Sequence, residues 1–184
     1  MKYSILLVDP PWSYRDKAQS GNRGAEFKYQ CMSVPDLMEM KDYIDEISED
    51  NAVMFMWTTA PMLPVAISLM AHWRFDYKTV AFTWIKKTVN NKLFWGMGNY
   101  TRSNPEYVIL GVRGKGIKRT SASVHSVIES EIREHSRKPD EVRLRINKLY
   151  EGYTGIELFA RQRTPGWDVH GLETDKFICA DSVY

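Results

Sequence analysis

Short runs of β-branched, aliphatic and aromatic residues alternate along this chain with amphipathic stretches of helical period. That alternation predicts βα units built on a largely parallel sheet, an α/β fold. Strands are expected at Tyr3–Val8, Ala52–Thr58, Tyr77–Trp84, Glu106–Val112 and Gly155–Ala160. A first helix is expected from Ser33, whose hydroxyl can cap it, with Pro35 in its first turn and Asp36 at the capping-box position. Apolar residues at helical spacing predict a second over Leu63–Trp73. A third, Pro139–Tyr150, sets Asp140 and Glu141 against the positive end of its dipole. No repeat or low-complexity linker interrupts the pattern, so residues 1–184 are expected to form one domain.

Composition narrows the class. With 184 residues and 43% hydrophobic content the chain can bury a full core. A net charge of +2 permits a nucleic-acid partner without demanding one, because the electrostatic footprint depends on where the charge sits. Cys31 and Cys179 make no disulfide framework, and no Cys/His spacing matches a zinc site, so no metal is expected. The amino terminus has too short an apolar run for a signal peptide, and no stretch approaches the roughly 18 apolar residues of a membrane span. These features lead one to expect a soluble protein of the reducing cytoplasm, without a membrane association.

Candidate chemistry begins where the first strand ends, at Asp9, Pro10, Pro11 and Trp12. An exocyclic amine such as that of adenine is a poor nucleophile because its lone pair is delocalised into the ring. Asp9 is suited to accept a hydrogen bond from it and the Pro10 carbonyl to accept a second. Neither proline has an N–H, and each restricts the residue before it, so the acceptors have little freedom to turn away. Trp12 offers a face on which a base could stack. An ordinary loop after a strand would account for these four residues alone, but two further segments weigh against that reading: E-H-S-R-K-P-D-E at Glu134–Glu141 and I-E-L-F-A-R-Q-R-T-P-G-W at Ile156–Trp167.

With the tetrad, in this order, those segments resemble the Asp-Pro-Pro-Trp class of adenine amino-methyltransferases, which includes the catalytic subunit of the eukaryotic messenger-RNA adenosine methyltransferase. The stretches Trp57–Pro64 and Phe94–Glu106 are similar to the compact bacterial and phage branch. The resemblance implies a Rossmann-like S-adenosylmethionine-dependent fold, helices on both faces of a mostly parallel sheet, with permuted motif order, the catalytic tetrad ahead of the main cofactor strand. It implies methyl transfer from S-adenosylmethionine to the N6 amino group of adenine in nucleic acid, DNA favoured over RNA. Asp9, Pro10, Pro11 and Trp12 would be catalytic. Asp9, Lys138, Glu157, Leu158, Phe159, Arg161 and Arg163 would hold the cofactor, Lys138 by reaching the methionine carboxylate from a helix amino terminus. His135 is expected to be structural.

Two loops are candidates for substrate contact. Ser13–Gln30, which includes Tyr14 and Arg15, is expected to form a mobile loop over the site. In Lys86–Asn104, Trp95, Tyr100, Arg102 and Asn104 are expected to recognise the target, since interleaved cations and aromatics suit phosphates and splayed bases. The basic run Arg113–Arg119 is equally compatible with phosphate contact and with a solvated hairpin turn. Where family members continue to Gly-Asn followed by Gln or Glu, this chain has Gly171, Leu172 and Glu173, and the tail Thr174–Tyr184 is expected to stand in for an upstream cofactor-contacting segment. Other readings remain open: an RNA enzyme, a catalytically inactive module that binds nucleic acid or supports a partner, or methylation of an amide or amine elsewhere. The chain is expected to act as a monomer or homodimer, with room for a protein partner.

Overall fold

The computed structural model describes residues 1–12, 31–98, 100–134, 137–171 and 174. Seven strands, β1 (Tyr3–Val8), β2 (Ser48–Thr58), β3 (Asp76–Lys87), β4 (Glu106–Arg113), β5 (Val127–Glu131), β6 (Gly155–Leu158) and β7 (Asp168–His170), form one sheet in the order β5-β3-β4-β2-β1-β6-β7. Its helices are α1 (Val34–Glu39), α2 (Lys41–Ile47), α3 (Leu63–His72) and α4 (Glu141–Leu149). β1 runs parallel to both β2 and β6, β6 parallel to β7 and β3 parallel to β5, while β4 is antiparallel to its neighbours β2 and β3. The mostly parallel α/β fold expected from the sequence is therefore the one observed.

Strand β1 is buried on both faces, which is why it reads as a continuous apolar run rather than an alternation. Leu6 and Val8 point into one core with Met54 and Met56 of β2, Leu37 of α1, Ile44 of α2 and Leu69 and Met70 of α3. Ile5 and Leu7 point into the other with Val53, Phe55 and Trp57 of β2 and Val142 and Ile146 of α4. Helices thus cover both faces. The capping box at the start of α1 is present in full: Ser33 Oγ accepts from the Asp36 N–H at 3.3 Å and the Ser33 N–H donates to Asp36 Oδ2 at 3.0 Å.

Three elements escape sequence reasoning, each for a physical reason. β5 is an edge strand with only Ile128 fully buried, β7 has three residues, and α2 has seven, too few for a helical period to stand out. The basic run after β4 resolves as a turn with Gly114 and Gly116 in the left-handed region, at φ of 58° and 66°. Its first residue is structural: Arg113 donates to Asp45 Oδ1 and to the Trp73 carbonyl, both at 2.7 Å, over the Phe75 ring. Among the described residues no helix is long and apolar enough to cross a membrane.

Gly111 in β4 lies against α3, where a Cβ would overlap the Met70 thioether and sit 3.1 Å from Phe75 Cβ. Gly111→Ala is expected to destabilise the fold by about 1–3 kcal/mol through overpacking, read as a lower urea midpoint with an unchanged slope.

Candidate active site

Parallel pairing sets Val8 level with Met56 of β2 and with Leu158 of β6. Asp9 and Phe159, which follow β1 and β6, therefore meet Trp57 of β2 at one edge of the sheet, the carboxyl side on which open α/β sheets bind ligands. The Asp9 N–H donates to the Leu158 carbonyl at 3.4 Å, tying the turn after β1 to the end of β6. The next turn is tight: the Trp12 N–H donates to the Pro10 carbonyl at 2.8 Å, an i→i+2 bond centred on Pro11, and the Pro11 carbonyl accepts from the Met32 N–H at 2.9 Å.

This geometry qualifies one expectation and corrects another. One lone pair of the Pro10 carbonyl is committed to Trp12, leaving the second for an amine. Trp12 itself is a core residue, 5% exposed, with its indole N–H directed at the Trp57 carbonyl at 3.4 Å. Its ring faces are packed rather than open to a base, because the turn at Pro11 folds it back under the sheet edge.

Behind Asp9 runs a line of alternating charge. Lys138 Nζ lies 3.0 Å from Asp9 Oδ2 and 3.5 Å from Glu106 Oε2, and Lys86 Nζ lies 2.5 Å from Glu106 Oε1. Lys138 also sits 5.4 Å from the centre of the Trp57 ring, and Lys86 5.2 Å from that of Trp84. Burial pushes the Lys138 pKa down, but Asp9 and Glu106 outweigh it and hold the ammonium well above its ordinary range. For Glu106 burial pushes upward, and Lys138 and Lys86 outweigh that, leaving the carboxyl below its usual value. Lys138, expected to reach a cofactor carboxylate, is paired here with Asp9. Glu106 was not anticipated; its signal is a charged residue opening an otherwise apolar strand directly after Asn104-Pro105.

A second cluster braces the first. Arg143 of α4 grips Glu157 of β6 with two bonds, Nε to Oε2 at 2.6 Å and Nη2 to Oε1 at 2.7 Å, and reaches Asp140 at 3.0 Å. Burial lowers the Arg143 pKa, Glu157 raises it more, and the net shift is upward. Asp140 also accepts from Gln162 and Arg133, each at 2.8 Å, and Arg133 donates to the Lys138 carbonyl at 2.7 Å. Glu157 was expected to accept from a cofactor; both of its oxygens are instead engaged by Arg143. A lone carboxylate in a buried strand requires such a partner, and Arg143, beside Val142 on the buried face of α4, was the legible candidate.

Of the remaining expected cofactor residues, Leu158 is wholly buried in the core and can offer only its backbone. Phe159 stands at the site in the left-handed region, φ 59°, a conformation costly for a bulky residue and concentrated at functional sites. Arg161 lines the small cavity beneath Asp9 together with Arg137, Lys138, Arg143, Glu157, Phe159 and Gln162. Arg163 does not join it. That side chain lines a groove of about 520 Å³ with Tyr3, Tyr43 and His170, because the chain turns away from the sheet edge after Gln162.

Asn104 is also reassigned. Its amide takes the Lys86 N–H at 3.0 Å and donates to the Lys86 and Phe94 carbonyls, closing the base of the loop rather than facing a substrate. Trp95, Tyr100 and Arg102 are exposed on that loop. Tyr14 and Arg15, the whole loop Ser13–Gln30, His135, Leu172 and residues 175–184 lie outside the described residues.

The cavity carries four cations, Arg137, Lys138, Arg143 and Arg161, against two carboxylates, Asp9 and Glu157. Cationic side chains of this kind, with the Phe159 ring as an apolar wall, suit a ligand carboxylate, so the lining fits S-adenosylmethionine. With Lys138 resting on Asp9 the cavity holds about 10 Å³, room for one water.

Among known families, the one described as MT-A70 matches residues 3–173. The chain is similar to the type II methyltransferase M.MunI of a Mycoplasma species, 35% identical over 189 residues that cover 94% of this chain and 78% of that protein. It is 25% identical to a putative N(6)-adenosine-methyltransferase of Medicago truncatula, over 90% of this chain and 25% of that protein. Identity is also 25% to an N(6)-adenosine-methyltransferase subunit of Danio rerio, over 95% and 28% respectively. The chain thus spans most of the bacterial protein and about a quarter of each eukaryotic one.

Two outcomes are expected from the charge clusters. Glu106 contributes stability that is fully present above its ordinary value of 4.5 and is lost as pH falls through its lower folded value. Glu106→Gln should therefore flatten the acid limb of a urea-unfolding stability profile below that pH. Arg143→Met, which strands Glu157, should cost about 3–5 kcal/mol, and Glu157→Gln in the same chain should recover part of that loss.

Proposed function

The chain belongs to the MT-A70 family, and from that premise we propose that it transfers a methyl group from S-adenosylmethionine to the N6 amino group of adenine in nucleic acid, with DNA the favoured substrate. The observation that carries this reading is Asp9, presented at the level carboxyl ends of β1 and β6 and held by Lys138 at 3.0 Å. The preference for DNA is supported by the higher identity to the Mycoplasma type II methyltransferase, 35%, than to the eukaryotic adenosine methyltransferases, 25%.

When bound, S-adenosylmethionine supplies a methyl carbon on a sulfonium sulfur that departs as a neutral thioether. The residues do the rest by orientation and charge. Lys138 secures Asp9 Oδ2, and Oδ1 accepts an N–H of the amine while the second lone pair of the Pro10 carbonyl accepts the other. Those two bonds draw the amino nitrogen out of conjugation, so its lone pair points at the donor carbon. The nitrogen becomes cationic as the new N–C bond forms, next to the Asp9 carboxylate that stabilises it. Its proton, acidic once the nitrogen is cationic, then passes to solvent water without a strong base, and Glu106 offsets the positive charge of Lys138 beside it. In a duplex the adenine must first be flipped out, at roughly a few kcal/mol.

Asp9→Ala is expected to lower turnover about 10²- to 10³-fold, the magnitude for loss of one preorganised polar group, while calorimetric affinity for S-adenosylmethionine changes little. The assay uses methyl-labelled cofactor with double-stranded DNA, single-stranded DNA and RNA, and identifies the product nucleoside by mass spectrometry. Binding of nucleic acid with no methylated adenine would favour an inactive binding module instead.

A further inference from the structure

The loop between β3 and β4 carries an exposed apolar stripe for which the methyl-transfer chemistry has no use. Leu93, Trp95 and Met97 are exposed while the intervening Phe94 and Gly96 are half-buried, the alternation of an extended arm with one face turned outward. Trp95 is 62% and Met97 83% exposed, and Tyr100 beyond them is fully exposed. Large apolar side chains protruding together from one short segment mark an interaction site rather than scattered surface residues.

The arm is stiffly mounted. Its chain doubles back so that the Gly96 N–H donates to the Ser103 carbonyl at 2.7 Å and Ser103 Oγ donates to the Met97 carbonyl at 3.1 Å. Further out, a Cβ on Gly98 would overlap the Thr101 carbonyl oxygen, so that close approach needs glycine. At the base Asn104 ties Phe94 to Lys86, and Lys86 pairs with Glu106, which touches Lys138 beside Asp9. A rigid arm therefore projects from the rim of the site, and Lys92 and Arg102 on it supply positive charge for a phosphate backbone.

We propose that this stripe is a wedge for duplex DNA: Trp95 and Met97 enter the base stack and fill the gap left when the target adenine turns out towards Asp9. The inference rests on the reading of the chain as an adenine methyltransferase and adds the structural state of its substrate. Turning a base out leaves its neighbours unstacked, and protruding apolar side chains are the known means of occupying such a step. A single strand needs no gap filled, since its bases are already free to leave the stack. The wedge is thus required for duplex and largely dispensable for single strands.

The test uses the full chain with linearised plasmid DNA, either duplex or boiled and snap-cooled, and reads N6-methyladenine by mass spectrometry for the wild type, Trp95→Ala and Met97→Ala. Both residues are exposed, so the variants should fold; far-ultraviolet circular dichroism and the urea midpoint check this. Each variant is expected to lose about tenfold or more on duplex, the scale of one lost base contact, and less than about threefold on single strands. Equal losses on the two forms, no loss on either, or wild-type activity confined to single strands would overturn the wedge. A change in sedimentation mass without a change in methylation would assign the stripe to protein contact instead. Absence of methylation by the wild type on both forms would overturn the enzymatic reading itself, a result distinguishable from failure of the wedge.

Discussion

Parallel pairing of β1 with β6 is the constraint on which the rest of the molecule depends. The two strands are separated by most of the chain yet lie side by side, Ile5 against Gly155 through Val8 against Leu158. With β2 on the other side of β1, also parallel, the carboxyl ends of β1 and β6 finish level beside Met56, two residues before β2 itself ends. Everything functional follows from that levelness: Asp9 is tied to Leu158, Lys138 reaches Asp9 from the segment before α4, and Glu106 approaches from the start of the reversed strand β4. A one-residue slip would exchange the two faces of β1 and part Asp9 from Lys138.

Burying this many charges is unfavourable unless each finds a partner, and the site meets that requirement by alternation. Asp9, Lys138, Glu106 and Lys86 follow one another in sign, and Arg143 sits between Glu157 and Asp140. The two series meet where Arg133 links Asp140 to the Lys138 backbone. Charges in such a low-dielectric setting act strongly on one another, so an incoming amine or carboxylate is felt by the whole series rather than by one side chain.

Much of this was legible in the sequence. β1 matches its expected bounds, and the other long strands stand out because buried β-branched and aromatic runs are rare outside strands. Motif order singled out Asp9 and Lys138, which the fold sets 3.0 Å apart. What misled was side-chain direction: Trp12 and Leu158 fall in the motifs but point into the core, Glu157 points at α4, and Arg163 lies past a turn that no local pattern announces. Glu106 and Arg143 were missed because their roles exist only once β4 and α4 pack against distant strands. Periodicity reports the face of an element, not what another element brings to it.

The closure of the β3–β4 loop by Asn104 concentrates a mechanical role in one side chain. One amide satisfies the backbone of Lys86 and Phe94 at the neck, so the loop beyond it is fastened at one point of the sheet edge. A single side chain thus does for this loop what a ladder of backbone bonds does for a hairpin, and its loss would unfasten the loop at its root while leaving the sheet beneath it paired.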